Sequence, residues 1–473
     1  MPPQIPNIVF IMSDDHASHA MSCYGSKINR TPHIDRIAQE GMRFDNFFCT
    51  NSICTPSRAA ILTGTYNHIN NVTTLDTPMD NRLQTYPKHL QAAGYQTAIF
   101  GKWHLGIGPN HCPTGFDEWA VLPGQGRYHN PEFIFKAPDG GAWRTVKGYA
   151  TDLITDMSLD WLDRRDREKP FCLMVHHKAP HRPWYPDEAH EGLFLNEDVP
   201  EPDTLYDDYS NRASAAQAAE MRVGPHMNSI DLKCEVPLEL PENELRSWAY
   251  QRYIKDYLRV VASIDDNVGR ILDYLEDHNL TENTLIIYTS DQGFFLGDHG
   301  WYDKRFMYEE SLRMPFILRY PEKVIPGTVN QDIVLNIDIA PTFLDLAGVP
   351  VPKEMQGKSF SAILEDNLTT DWRESMYYRY WMHKAHHNVY AHYGLRTKRY
   401  KLIYYYADAL DQAGTIDESY EPEWELFDLD MDPFELNNVY DDPTYADVVK
   451  KLKIELHRLQ AEVGDKRYPL DLD

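Results

Sequence analysis

The sequence predicts an α/β protein: a large, mostly parallel central sheet flanked by helices, with a smaller C-terminal α+β subdomain. Three observations predict it. Short apolar runs alternate with helical stretches, the residues best suited to chemistry follow the ends of those runs, and 473 residues exceed what one ordinary core holds.

The apolar runs are Ile8 to Met12, Thr97 to Phe100, Phe171 to Val175, Leu285 to Tyr288 and Phe316 to Leu318, each short enough to be a strand buried on both faces. Leu258, Val261, Ile264, Val268, Ile271 and Leu275 recur at helical spacing and give one amphipathic helix leading into the fourth run. Residues 202–233 are polar, rich in Ala and Ser and weakly periodic, so they read as an insertion or lid. After Leu364 the polar stretch EDNLTTDWRES marks a linker, which divides a large domain over 1–365 from a smaller one over 372–473. In the smaller part YGLRTKRYKLIYYY reads as strand, and a helix from about Tyr445 to Val463 closes the chain.

Composition narrows the function. A net charge of −26 disfavours nucleic acid, anionic lipid and long polyanions as partners, although a small anion can still bind where positive charge is gathered locally. The apolar run from Ile5 to Met12 has no basic flank and no cleavage site, and no run of about 18 apolar residues is present, so a cytoplasmic enzyme with no membrane span is expected. Six scattered cysteines show neither disulfide nor zinc spacing and read mostly as free thiols.

The candidate site residues follow strand ends: Asp14 and Asp15 after the first, Lys102 and His104 after the second, His176 to His181 after the third, Asp291 and Gln292 after the fourth. Sites in open α/β sheets gather at those carboxyl ends. Asp14, Asp15, Asp291 and Gln292 offer hard oxygen ligands, which suit calcium or magnesium better than zinc. In Gly101-Lys102-Trp103-His104-Leu105-Gly106, residues two apart on an extended segment point the same way, so Lys102 and His104 are expected to share one pocket.

The most specific segment is Cys54-Thr55-Pro56-Ser57-Arg58, continuing to Gly64. Together with SerAspAspHis, GKWHLG, the PHxP element at His181, Asp291-Gln292-Gly293 and Tyr302-Asp303-Lys304-Arg305, it resembles the type I sulfatases of the alkaline phosphatase superfamily. The resemblance runs in the family's order from Asn7 to about Pro321, and more loosely through LRTKRYKLI and LFDLDMDPFELNN. It implies that a formylglycine-generating enzyme converts Cys54 to formylglycine, whose hydrated aldehyde attacks sulfur. It also implies a divalent cation, calcium with magnesium as the alternative, held by Asp14, Asp15, Asp291, Gln292 and the group at Cys54. Gln292 stands where the family more often has asparagine; the extra methylene shifts the ligand without changing its donor atom.

By the same resemblance Arg58 and Lys102 neutralise the sulfuryl oxygens, Lys304 contacts the sulfate, His181 protonates the leaving alcohol, and His104 takes the proton that releases sulfate. Thirty tyrosines and ten tryptophans supply faces for a sugar or aryl group. His177, His387 and His392 are candidates for substrate specificity. The expected activity is hydrolysis of a small sulfated sugar, with aryl sulfates as artificial substrates. The alternatives are a phosphodiesterase or phosphonate monoester hydrolase of the same superfamily, or a non-catalytic sulfoglycan-binding protein that keeps Cys54 as a thiol. A homo-oligomer is left open.

Overall fold

The structure is a computed structural model that describes residues 5–138, 140–365 and 372–465. The heart of the expected linker, 366–371, lies outside the described residues, as does the end of the chain from 466.

Five strands at the centre of a ten-stranded sheet are mutually parallel: Thr284–Ser290, Asn7–Ser13, Phe171–His176, Gln96–Lys102 and Glu118–Leu122, in that spatial order. Asn7–Ser13 is wholly buried because helices cover both faces, which is why its sequence is an unbroken apolar run. Glu132–Phe135 and Ala142–Thr145 extend one side as antiparallel edge strands. Phe316–Arg319, Met42–Phe44 and Thr328–Asn330 complete the other. All five runs read from the sequence are strands of this sheet.

Register decides where the chemistry falls. Met12 lies beside both Thr289 and His176, and Ser13 beside Ser290, so neighbouring strands end level and their next residues share one rim. Gly101 sits at φ +107 on a strand so close to its neighbour that a Cβ would lie 1.9 Å from the His176 carbonyl oxygen, which only glycine permits.

The helix expected around Leu258 to Leu275 spans Glu242–Asp277 and buries the predicted apolar positions. Residues 202–233 behave differently from a peripheral lid. Leu205, Ala215, Ala216, Met221, Val223 and Leu232 are buried in the core, so the segment forms a fixed wall of the molecule. Small side chains packed without period leave no amphipathic signal in sequence.

The smaller C-terminal unit is a four-stranded antiparallel sheet of Ser375–Tyr380, His392–Thr397, Tyr400–Tyr405 and Glu423–Asp428, packed on the helix Ala446–Val463. Tyr378 fastens it to the larger unit: the hydroxyl accepts from Ser52 N at 3.0 Å and donates to the Arg305 carbonyl at 2.7 Å. Among the described residues no helix is long and apolar enough to cross a membrane.

Candidate active site

Cys54 opens a ten-residue helix, Cys54–Thr63, in which every residue is buried and which ends at Gly64 in the left-handed conformation. Burying this short helix places its first turn, and Arg58 one turn further on, directly below the rim of the central sheet. The Ser57 hydroxyl donates to the Asp291 carbonyl, and Arg58 donates through Nη1 to the Lys102 carbonyl at 2.8 Å and through Nε to Asp291 Oδ2 at 3.0 Å. The helix is therefore bolted to two strand ends at once.

Three buried carboxylates meet there. Asp14, Asp15 and Asp291 each place an oxygen within 4.8 Å of the others. Lys102 donates to Asp14 and to Gln125 Oε1, while Lys304 Nζ and Gln292 Nε2 both donate to Asp15 Oδ1. Asp14 Oδ1, Asp15 Oδ2 and Gln292 Oε1 are buried and have no hydrogen-bond partner. Buried oxygens left without donors are costly, and three beside one another fit an oxygen-liganded divalent cation. Three carboxylates against the cations Arg58, Lys102 and Lys304 nearly cancel, so a divalent ion would leave the site net positive and ready for an anion.

Electrostatics agree. Burial favours the neutral carboxyl of Asp14, but the adjacent Lys102 and the other positive groups outweigh it and hold its pKa well below the ordinary value. Asp15, despite Lys304, is pushed up to about 7 by burial, and Asp291 to about 6 by burial and the nearby Asp14. Burial raises the Cys54 thiol well above its ordinary value, so the unmodified side chain is a neutral thiol and a poor nucleophile. The same desolvation, reinforced by Lys102, drives His104 and His181 well below the usual imidazole range.

His181 is oriented by its own neighbour. Nδ1 lies 2.7 Å from the Arg182 carbonyl, which must accept, so Nδ1 carries a hydrogen and Nε2, 3.7 Å from Asp15 Oδ2, is the atom that gains or loses a proton. Cys54 Sγ, an Asp14 oxygen and a His181 nitrogen lie within 4.8 Å of one another. Cys54, His181, Lys304, Arg305 and His387 line a cavity of about 190 Å³.

A family model described as sulfatase matches residues 6–349, and one described as the C-terminal part of N-sulphoglucosamine sulphohydrolase matches residues 297–462. The chain belongs to the sulfatase family. It is 44% identical to the N-acetylglucosamine-6-O-sulfatase of Bacteroides thetaiotaomicron over 97% of this chain and 87% of that one. An arylsulfatase of Clostridium perfringens is 28% identical, with 95% and 93% covered. A solved structure of a protein in complex with its substrate, D-glucosamine-2-N,6-O-disulfate, superposes with a TM-score of 0.90 at 43% identity and covers 99% of this chain and 100% of that one. The protein is therefore a sulfuric ester hydrolase.

In this sulfatase the residues predicted for metal, nucleophile and sulfate converge, but the sugar-facing histidines divide. His387 borders the cavity, with Nε2 3.2 Å from Asp303 Oδ2 and Nδ1 2.9 Å from the Glu220 carbonyl. His392 does not: it is fully buried, with Phe306, Tyr378, Tyr380 and Tyr405 around its ring. Its place in an aromatic-rich strand made packing the stronger demand. His177 is likewise fully buried and outside the cavity lining. Lys102 and His104 share the site for a different reason from the one expected. The strand ends at Lys102, His104 adopts φ 56, and Thr55 Oγ1 donates to the His104 carbonyl at 2.8 Å to hold it there.

Sequence reasoning missed Gln125, and it quoted Asp303 and Arg305 beside Lys304 without giving either a role. Asp303 and Arg305 both hold positive φ, at 82° and 103°, on either side of Lys304. Such backbone costs of order 1–3 kcal/mol each and persists where surrounding structure enforces it, commonly at functional sites. Gln125 lies in a PGQGR loop with no chemical signature.

Proposed function

We propose that this protein removes the 6-O-sulfate from a glucosamine-type sugar, acting on one terminal residue, with a formylglycine made from Cys54 and a calcium ion, or magnesium in its place. One observation carries the choice of substrate: the near-complete likeness, at 43% identity, to a structure solved with D-glucosamine-2-N,6-O-disulfate. The size of the cavity supports a single residue, because about 190 Å³ is below the roughly 300–1,000 Å³ of sites for larger ligands.

Asp14, Asp15, Asp291 and Gln292 would hold the cation, which supplies Lewis-acid charge beside position 54. Formylglycine supplies, as its hydrate, an oxygen nucleophile that the buried thiol does not.

The chain's own residues do the rest. Arg58, Lys102 and Lys304 present N–H donors and positive charge to the sulfuryl oxygens in a site shielded from water, where such contacts are strongest. His181 donates from Nε2 to the ester oxygen as the sulfur–oxygen bond breaks, so the sugar departs as an alcohol. Burial makes that ring a strong acid once protonated, and an arriving anion offsets the desolvation that otherwise keeps it neutral. His104, also held neutral and fixed by Thr55 through its carbonyl, is the base. Maturation by a formylglycine-generating enzyme and a cytoplasmic location complete the reading.

Steady-state turnover of glucosamine 6-sulfate, of its N-acetylated and N-sulfated forms, and of nitrophenyl sulfate, phosphate and phosphonate esters tests it. The sulfated sugars should exceed the phosphorus esters in kcat/KM by at least about a hundredfold, a difference of about 2.7 kcal/mol. Preference for a phosphorus ester would overturn it.

A further inference from the structure

Arg182 follows the proposed acid directly and lines the same cavity. Its guanidinium is fixed from the far wall. Nε donates to Asp231 Oδ1 at 2.8 Å and Nη2 to Asp231 Oδ2 at 2.5 Å, a two-pronged pairing that sets the plane of the group. Asp231 is fully buried and belongs to the 202–233 segment, where it closes a capping box with Asn228. The Asn228 side chain accepts from Ile230 N at 2.9 Å and Asp231 N at 3.2 Å, and Asp231 Oδ2 accepts from Asn228 N at 3.3 Å. The Tyr302 ring lies 5.5 Å from the guanidinium carbon, and its hydroxyl donates to the His226 carbonyl of the same segment at 2.8 Å.

All of this holds two of the three guanidinium nitrogens. Among the described residues Nη1 has no protein acceptor, on a side chain that is 24% exposed. We propose that Arg182 is a substrate-binding residue that donates from Nη1 to a neutral oxygen of the leaving sugar, and that Asp231 is the positioning residue that aims it. The pairing with Asp231 offsets the positive charge, so Arg182 offers a directed N–H rather than an unbalanced cation. A sugar hydroxyl or amide carbonyl suits that offer better than a second anion does. The location fits, because the Arg182 carbonyl holds the ring of His181, the residue that meets the leaving oxygen. On this view residues 202–233 serve selectivity for sugar over aryl esters. The inference rests on the sugar-sulfate reading above.

The test compares kcat and KM for glucosamine 6-sulfate and nitrophenyl sulfate in the matured protein and in Arg182→Ala, Arg182→Lys and Asp231→Asn. Loss of a directed donor should lower the sugar-to-aryl ratio of kcat/KM by about tenfold in Arg182→Ala, mainly through KM. Lysine should not restore it, lacking the planar fork. Asp231→Asn, which keeps the shape and one acceptor oxygen, should move the ratio in the same direction by less, and it serves if Arg182→Ala does not fold. Equal losses on both substrates, or a fall in kcat at constant KM, would overturn the proposal in favour of an effect through His181 or on the fold. A larger loss on the N-sulfated sugar than on the unmodified amine would overturn the neutral acceptor. Wild-type turnover of the sugar sulfate is the control: without it the sugar reading itself fails, whereas turnover with an unmoved ratio removes only the role of Arg182.

Discussion

Arg58 Nε donates to Asp291 Oδ2 at 3.0 Å, and neither side chain is more than 2% exposed. Removing one member of such a pair leaves a buried charge uncompensated, at a cost of about 3–5 kcal/mol. Arg58→Ala should therefore lose stability as well as turnover, as denaturant unfolding of the cation-free protein would show. Because burial holds Asp291 up to about 6, the penalty should shrink below that pH, where the stranded carboxyl takes a proton. Unchanged stability at pH 8 would count against a structural part for this pair.

The cation should compete with protons. Asp15 and Asp291 titrate near 7 and 6 in the folded protein, above the ordinary carboxylate range, so in the absence of a cation their stability contribution falls as pH rises through that window. Binding of a divalent ion reverses this by favouring the charged forms. Calorimetric titration with calcium at pH 6, in buffers of different ionisation enthalpy, should show proton release that disappears by pH 9. Calcium at a hundred times its Kd should add about 2.7 kcal/mol of stability, and a chelator should remove it. Gln292→Ala, which deletes one orphaned oxygen, should weaken binding; equal affinity would exclude Gln292 as a ligand.

His181→Gln should separate substrates by leaving group. A proton donor matters most where the departing oxygen is most basic, so turnover of a sugar sulfate should fall by about 10²–10⁴ and that of nitrophenyl sulfate by much less. The measurement is kcat on both, at saturating substrate. Equal losses would make His181 a structural residue.

Away from the site, His299 should make stability depend on pH. Burial alone would lower its pKa, but Asp207 at 3.2 Å and Glu310 at 3.6 Å outweigh it and raise the value to about 9. A raised imidazole contributes stability that is fully present below its unfolded value, near 6.5, and is lost as pH rises through 9, by an amount of order 3 kcal/mol. Unfolding free energies at pH 6 and pH 10 should differ in that sense, and His299→Asn should flatten the difference.

The central strands were legible because each is buried on both faces and so carries an uninterrupted apolar run. The edge strand Ala142–Thr145 was not, since its residues are mostly exposed and leave no pattern to read. His392 was read as a specificity residue, because an imidazole set among aromatic side chains serves a core and a sugar surface equally well until the sheet is known. In the site, Asp14, Lys102 and Asp291 could be found because parallel strands that end level bring unlike residues to one rim. Arg182 and Asp231 could not, because a pairing 49 positions apart through a non-periodic segment has no local signature.

The central claim is that this protein hydrolyses sulfate esters with a group made from Cys54. The most direct test is the mass of the peptide containing Cys54, from protein matured with a formylglycine-generating enzyme, beside turnover of glucosamine 6-sulfate by the same sample. The account predicts a peptide lighter by about 18 Da and activity that scales with the converted fraction, since the buried thiol is a poor nucleophile. An unmodified Cys54 in fully active protein, or complete conversion with no sulfatase activity, would contradict it.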